Sequence, residues 1–137
     1  MADCLFCQII AGEVPARVVL EDDRVLAFLD RTPLFPGHLL LVPKVHVETL
    51  ADLPDELIEP LFGQARRLSA VMESGLGAAG SFVALNNKVS QSVPHLHVHV
   101  VPRNRKDGLK GFFWPRTKYA DDAHADQVAD TLRQALA

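Results

Sequence analysis

Ser92-Val93-Pro94-His95-Leu96-His97-Val98-His99-Val100-Val101-Pro102-Arg103 carries half of the chain's six histidines, on every second residue. Aliphatic residues interleave them. Strict alternation is the period of a β-strand, in which successive side chains point to opposite faces. The spacing predicts a strand with His95, His97 and His99 on one face, each about 7 Å from the next. Leu96, Val98 and Val100 then fill the other face. Pro94 and Pro102 bracket the segment, where a missing N–H does least harm to a ladder. A row of imidazoles allows three interpretations. It is a histidine-rich strand without special chemistry, a metal site built from neutral imidazoles, or a catalytic row supplying a nucleophile, a proton carrier and hydrogen-bond donors. Spacing alone does not separate the last two.

The residues around the row add a resemblance. His95-Leu96-His97-Val98-His99-Val100-Val101, with Gln91-Ser92-Val93 ahead of it, resembles the signature of the histidine triad (HIT) family. Asn86-Asn87, Pro36-Gly37-His38 and Phe28-Leu29-Asp30 match in the same order, so the likeness runs from about Cys4 to Arg103. It implies a nucleotide hydrolase or transferase acting at the α-phosphate of purine nucleotide conjugates through a covalent nucleotidyl-histidine. The middle histidine, His97, would be the nucleophile. His99 would hold a phosphate oxygen, and His38 would order the site and balance protons. Ser92 and the Val93 N–H would contact the phosphate and leaving group, with Gln91, Asn86 and Asn87 on the phosphate side. Asp30 would take the ribose hydroxyls. Leu5, Phe6, Ile9, Phe28 and Leu40 would wall the base; ordinary core is the alternative for these five. Family members place glycines between the Asn and the Gln, where this chain has Lys88-Val89-Ser90.

Cys4-x-x-Cys7 is a second constellation, and a weak one alone. No strand precedes it to build a thioredoxin-like redox unit. The resemblance to bacterial zinc-containing members pairs these cysteines with His46 and His95, implying a structural zinc ion. Two thiols and two histidines with separate partners are the alternative. No catalytic metal or organic cofactor is expected.

Composition sets the outer limits. A chain of 137 residues with 48% hydrophobic and 23% charged residues suits one soluble domain with a modest core. A net charge of −3 argues against general nucleic-acid binding. No run reaches the ~20 apolar residues a membrane span needs, and Met1-Ala2-Asp3-Cys4 lacks the pattern of a signal peptide. The expectation is a cytoplasmic protein without membrane or nucleic-acid partners. From Arg103 to Lys118 there are six basic residues against Asp107 alone, around Phe112-Phe113-Trp114-Pro115. That stretch is either a second anion-binding surface or a packing loop.

The pattern predicts a short helix over 4–11 and a hairpin of 17–21 with 24–29. It adds a doubly buried strand at 38–42, a long helix over 55–74 and a strand at 81–85. A C-terminal helix over 122–135 completes it. Pro60 requires that the long helix start there or that its first turn be distinct. With only one helix between strands, the fold class is α+β with a largely antiparallel sheet. The resemblance implies the HIT-like fold: five strands, one long helix, short N-terminal and C-terminal helices, and a homodimer. Residues 1–137 are expected to form one such domain, with the core in 4–103 and a basic, aromatic loop and final helix in 104–137.

Overall fold

The computed structural model describes residues 3–109 and 116–137; Phe112, Phe113 and Trp114 lie outside the described residues. The chain divides into two compact units, Met1–Arg105 and Lys106–Ala137. The first holds α1 (Leu5–Ile10), β1 (Val18–Glu21), β2 (Val25–Leu29), β3 (Leu39–Pro43), α2 (Ile58–Leu76), β4 (Gly80–Ala84) and β5 (Val98–Arg103). The second holds α3 (Asp122–Leu136). The fold is α+β, with five strands in the order β1-β2-β3-β5-β4 and every pair antiparallel.

Alternation in β2 and β3 divides the core. Val25, Ala27, Leu39 and Leu41 face α2, where they meet Leu61, Ala65, Leu68 and Met72. Leu26, Phe28, Leu40 and Val42 face the other way, onto Cys4 and Phe6 of the α1 region. This is why β3 is a continuous apolar run: all five of its residues are buried. Truncating a fully buried leucine such as Leu61 to alanine costs about 2–5 kcal/mol.

Local chemistry sets the connections. Asp22 Oδ1 accepts from the Arg24 and Val25 N–H groups at 2.7 and 2.8 Å and closes the β1–β2 turn. Pro60 is accommodated because Asp55–Leu57 form a separate 3₁₀ turn and the regular helix begins at Ile58. Its missing N–H then falls in the first turn, where no intrahelical acceptor exists. The helix runs through Gly75 and stops at Gly77, whose φ of 69° is left-handed. The Ala78 N–H then reaches back to the Met72 carbonyl at 3.1 Å.

The histidine stretch corrects the expected strand. Regular pairing begins only at Val98, so of the three histidines only His99 sits in the ladder. Ser92 to His95 bend instead, with the His95 N–H bonded to the Val93 carbonyl at 2.8 Å. Leu96 and Val98 still enter the α2 core, so the inside–outside alternation survives without the ladder. In the second unit, Asp121 caps α3 by accepting from the His124 N–H at 2.8 Å. Leu132 and Leu136 of its apolar stripe are exposed.

Candidate functional site

The cleft floor is a row across three strands. Phe28 on β2 pairs with Leu40 on β3, and Leu40 pairs with His99 on β5. Over this row lies α1, contributing Leu5, Phe6 and Ile9. Phe6 meets Phe28 edge-on at 5.4 Å between ring centres and His97 at 5.0 Å. The cleft is about 330 Å³ and is lined also by Asp30, Ser92, Val93, His97 and His99. Six of its sixteen lining residues are not expected from the sequence: Val14, Pro15 and Ala16 in the turn after α1, and Leu29, Arg31 and Thr32 around Asp30. Only the Val14-Pro15-Ala16 turn left a local signal, and a turn does not say what it faces.

Asn86, Asn87 and Gln91 do not line that cleft. Asn87 Oδ1 accepts from the Leu50 N–H at 2.8 Å, and Asn86 donates to the Ser90 carbonyl at 3.2 Å. Gln91 accepts from the Lys88 N–H and donates to the Glu48 carbonyl. Their side chains fasten the loop that delivers Ser92. Within that loop Lys88 and Ser90 have φ of 68° and 62°, conformations that cost a side-chain-bearing residue about 1–2 kcal/mol and a glycine almost nothing.

Hydrogen-bond direction fixes the imidazole tautomers, because a carbonyl only accepts and a backbone N–H only donates. His97 Nδ1 lies 2.7 Å from the His95 carbonyl, so Nδ1 carries the proton and Nε2 keeps its lone pair. The Leu34 N–H donates to His38 Nδ1 at 3.0 Å, so the His38 proton is on Nε2. His38 Nε2–H then donates to His99 Nδ1 at 2.9 Å, and neutral His99 carries its own proton on Nε2. Burial pushes His38, His97 and His99 below the ordinary imidazole range. For His99 the charges that would form on His97 and His38 add to burial, giving about 4. All three are therefore neutral at physiological pH, as the tautomer assignment requires.

His95 points elsewhere. Its Nε2–H donates to the Pro43 carbonyl at 2.9 Å, leaving the Nδ1 lone pair for a different group. Around that nitrogen stand Cys4 Sγ at 3.5 Å, Cys7 Sγ at 3.6 Å and His46 Nδ1 at 3.2 Å, with Cys7 Sγ and His46 Nδ1 3.3 Å apart. A tetrahedral zinc ion, with bonds of about 2.0 Å to nitrogen and 2.3 Å to sulfur, spaces its ligand atoms about 3.3–3.8 Å apart. These four separations match those edges, and all four donor atoms lie within 4.8 Å of one another. Asp30, His38 and His99 form a second group with ligand-type atoms close together. They do not match a metal's needs, because an ion on His38 Nε2 would push the proton to Nδ1, against the Leu34 N–H.

Comparisons agree with this geometry. A family model described as the HIT domain matches residues 11–106. "Protein hit" of Bacillus subtilis is 38% identical over 88% of this chain and 83% of its own length. Adenylylsulfatase HINT3 of Arabidopsis thaliana is 35% identical over 98% of this chain and 70% of its own. Adenosine 5'-monophosphoramidase HNT1 of Saccharomyces cerevisiae is 34% identical over 99% and 82%. Among solved structures, SMU.412c from Streptococcus mutans superposes with a TM-score of 0.89 at 33% identity, covering all of this chain and 87% of that one. A zinc-bound histidine triad family protein from Mycobacterium smegmatis has a TM-score of 0.75 at 32% identity, over 98% and 96% of the two chains. With the triad, its supporting histidine and the cysteine–histidine cluster in place, this chain belongs to the HIT family.

Proposed function

We propose that the protein hydrolyses purine nucleotide conjugates at the α-phosphate, with nucleoside phosphoramidates as the preferred class. The observation that carries this is the His97 Nδ1–H bond to the His95 carbonyl, which leaves a neutral Nε2 lone pair in a cleft with an apolar base slot and a carboxylate. His97 Nε2 attacks phosphorus, the P–Nε2 bond forms, and the P–N bond to the leaving amine breaks as that amine takes a proton from solvent, which the attacking water of the next step gives back. Water then attacks the same phosphorus, releasing the nucleoside monophosphate and restoring neutral His97. His99 Nε2–H donates to a non-bridging oxygen where transition-state charge collects, while His38 holds the His99 ring in the required tautomer. Ser92 and the Val93 N–H guide the phosphate and leaving group. Asp30 accepts from ribose, and Leu5, Phe6, Ile9, Phe28 and Leu40 enclose the base. Asn86, Asn87 and Gln91 act on the phosphate side by fixing the backbone of the loop that delivers Ser92.

Cys4, Cys7, His46 and His95 hold a structural zinc ion. Bound there, it supplies a cross-link between the α1 region and the triad segment, and no chemistry at phosphorus. Two named relatives favour cleavage at a nucleotide α-phosphate, one a phosphoramidase and one an adenylylsulfatase. The working form is a homodimer in the cytoplasm; among the described residues no helix is long and apolar enough to cross a membrane. Dinucleoside polyphosphates are the second substrate class for the same nucleophile.

The test is intact-protein mass spectrometry after a brief acid quench with an adenosine phosphoramidate. A transient nucleotidyl adduct on the native chain, absent from His97→Ala and His97→Gly, is expected. Tight nucleotide binding without any adduct on this substrate or on a dinucleoside polyphosphate would leave only a binding module.

A further inference from the structure

The cleft continues past Asp30 into a second open groove. Val14, Pro15, Ala16, Leu29, Asp30 and Arg31 are common to both, and the groove adds Arg17 and Pro33. Its volume is about 740 Å³, larger than the cleft it leaves. Arg17 and Arg31 are exposed. Neither guanidinium has a hydrogen-bond or ion-pair partner among the described residues. Asp30 is the one acidic residue in the groove wall.

Asp30 is itself partly committed. Its Oδ1 accepts from the Thr32 N–H at 2.9 Å and from the Thr32 hydroxyl at 3.4 Å, which occupies both lone pairs of that oxygen. Oδ2 lies 3.7 Å from His38 Nε2, whose proton goes to His99, and remains for the ribose. The groove that Arg17 and Arg31 help to line begins at this carboxylate.

Given a nucleotide in the cleft as proposed above, we infer that the Arg17–Arg31 groove is a subsite for a phosphate on the ribose. The ligand class is a purine nucleotide 5′-conjugate with a second phosphate on the 2′ or 3′ oxygen. Asp30 Oδ2 holds the free hydroxyl, and the guanidinium groups offset the repulsion between Asp30 and the added phosphate. Guanidinium forks form charge-assisted, paired hydrogen bonds to phosphate, so two of them suit a dianion.

Calorimetric titration of the full chain with adenosine 5′-monophosphate, adenosine 3′,5′-bisphosphate and adenosine 2′,5′-bisphosphate tests this. One bisphosphate is expected to bind about tenfold tighter than the monophosphate at low salt. Which isomer gains identifies the ribose oxygen. In Arg17→Ala/Arg31→Ala the ratio of the two dissociation constants should fall to near one. Lysine at both positions should restore part of the preference, which a purely structural role would not do. Bisphosphates binding no tighter than the monophosphate would overturn the subsite, as would a preference that survives the double substitution. Absence of monophosphate binding by the native chain would instead remove the nucleotide cleft on which the subsite rests. The two failures are therefore distinct.

Discussion

Two groups of histidines sit on either side of His97, and they differ in which way their protons point. His95 gives its Nε2 proton to the Pro43 carbonyl and turns a bare Nδ1 toward two thiols and His46. His38 receives a backbone N–H on Nδ1 and passes its own proton to His99. Both groups bring potential metal ligands close together. One converges lone pairs and the other a chain of donors, so the first suits an ion and the second suits a phosphate. His97 belongs to neither, but its Nδ1 proton rests on the backbone carbonyl of His95. Backbone hydrogen bonds, more than residue type, assign the roles.

The sharpest way to break the comparison is at His97. Replacement by alanine or glycine should lower kcat/KM for an adenosine phosphoramidate by on the order of 10⁴-fold or more, with nucleotide binding retained. A residual rate within about tenfold of native would mean that the nucleophile lies in one of the flanking groups.

The next effect separates the groups by their metal content. Elemental analysis should find one zinc ion per chain, not two. Cys4→Ala and Cys7→Ala should abolish it and lower Tm by on the order of 10 °C, since the metal's binding energy contributes to folding. His38→Ala should leave zinc content unchanged. A second equivalent of zinc lost with His38 would invert the assignment made from the Leu34 hydrogen bond.

Much of this was legible in the sequence because it depends on periodicity and residue type. The doubly buried apolar run of β3, the helical stripe Leu57-Leu61-Ala65-Leu68-Met72 and the distinct first turn that Pro60 requires all follow from local rules. The cysteine–histidine grouping came from resemblance, and folding brings its members together across 91 residues of separation between Cys4 and His95. What stayed hidden was orientation. Alternating histidines predict a shared face, yet the chain bends at Pro94 and His95, sending that ring to the cysteines while His97 enters the cleft. The resemblance puts Asn86, Asn87 and Gln91 on the phosphate side, and nothing local announces that the Leu50 N–H and the Glu48 carbonyl engage two of them. The Arg31 and Thr32 wall was equally silent, since an exposed loop after a strand has no period to read.

A smaller effect tests the donor chain alone. His38→Ala removes the hydrogen bond that fixes the His99 tautomer while keeping His97 and the zinc ligands. A loss of about 10- to 100-fold in kcat with little change in KM is expected, because the His99 donor matters most once charge has developed on the phosphate. If KM rises and kcat holds, His38 serves the ground-state pocket instead.

The smallest effect is in the titration of His99, and its sign follows from the same geometry. In the unfolded chain the imidazole takes its proton near pH 6.5. In the fold that is held down to about 4 by burial and by His97 and His38. The unfolded state thus binds this proton first, so His99's contribution to stability is complete above about pH 6.5 and is lost as pH falls toward 4. The His99 ring resonances should stay flat from pH 8 to about 5 and move only below that. In His38→Ala one of the opposing charges and part of the burial are gone, so the midpoint should rise. A native His99 titrating near 6.5 would mean that water reaches the ring freely. The donor on Nε2 would then be imidazolium through much of the working range, and the neutral relay would give way to a charged clamp on the phosphate.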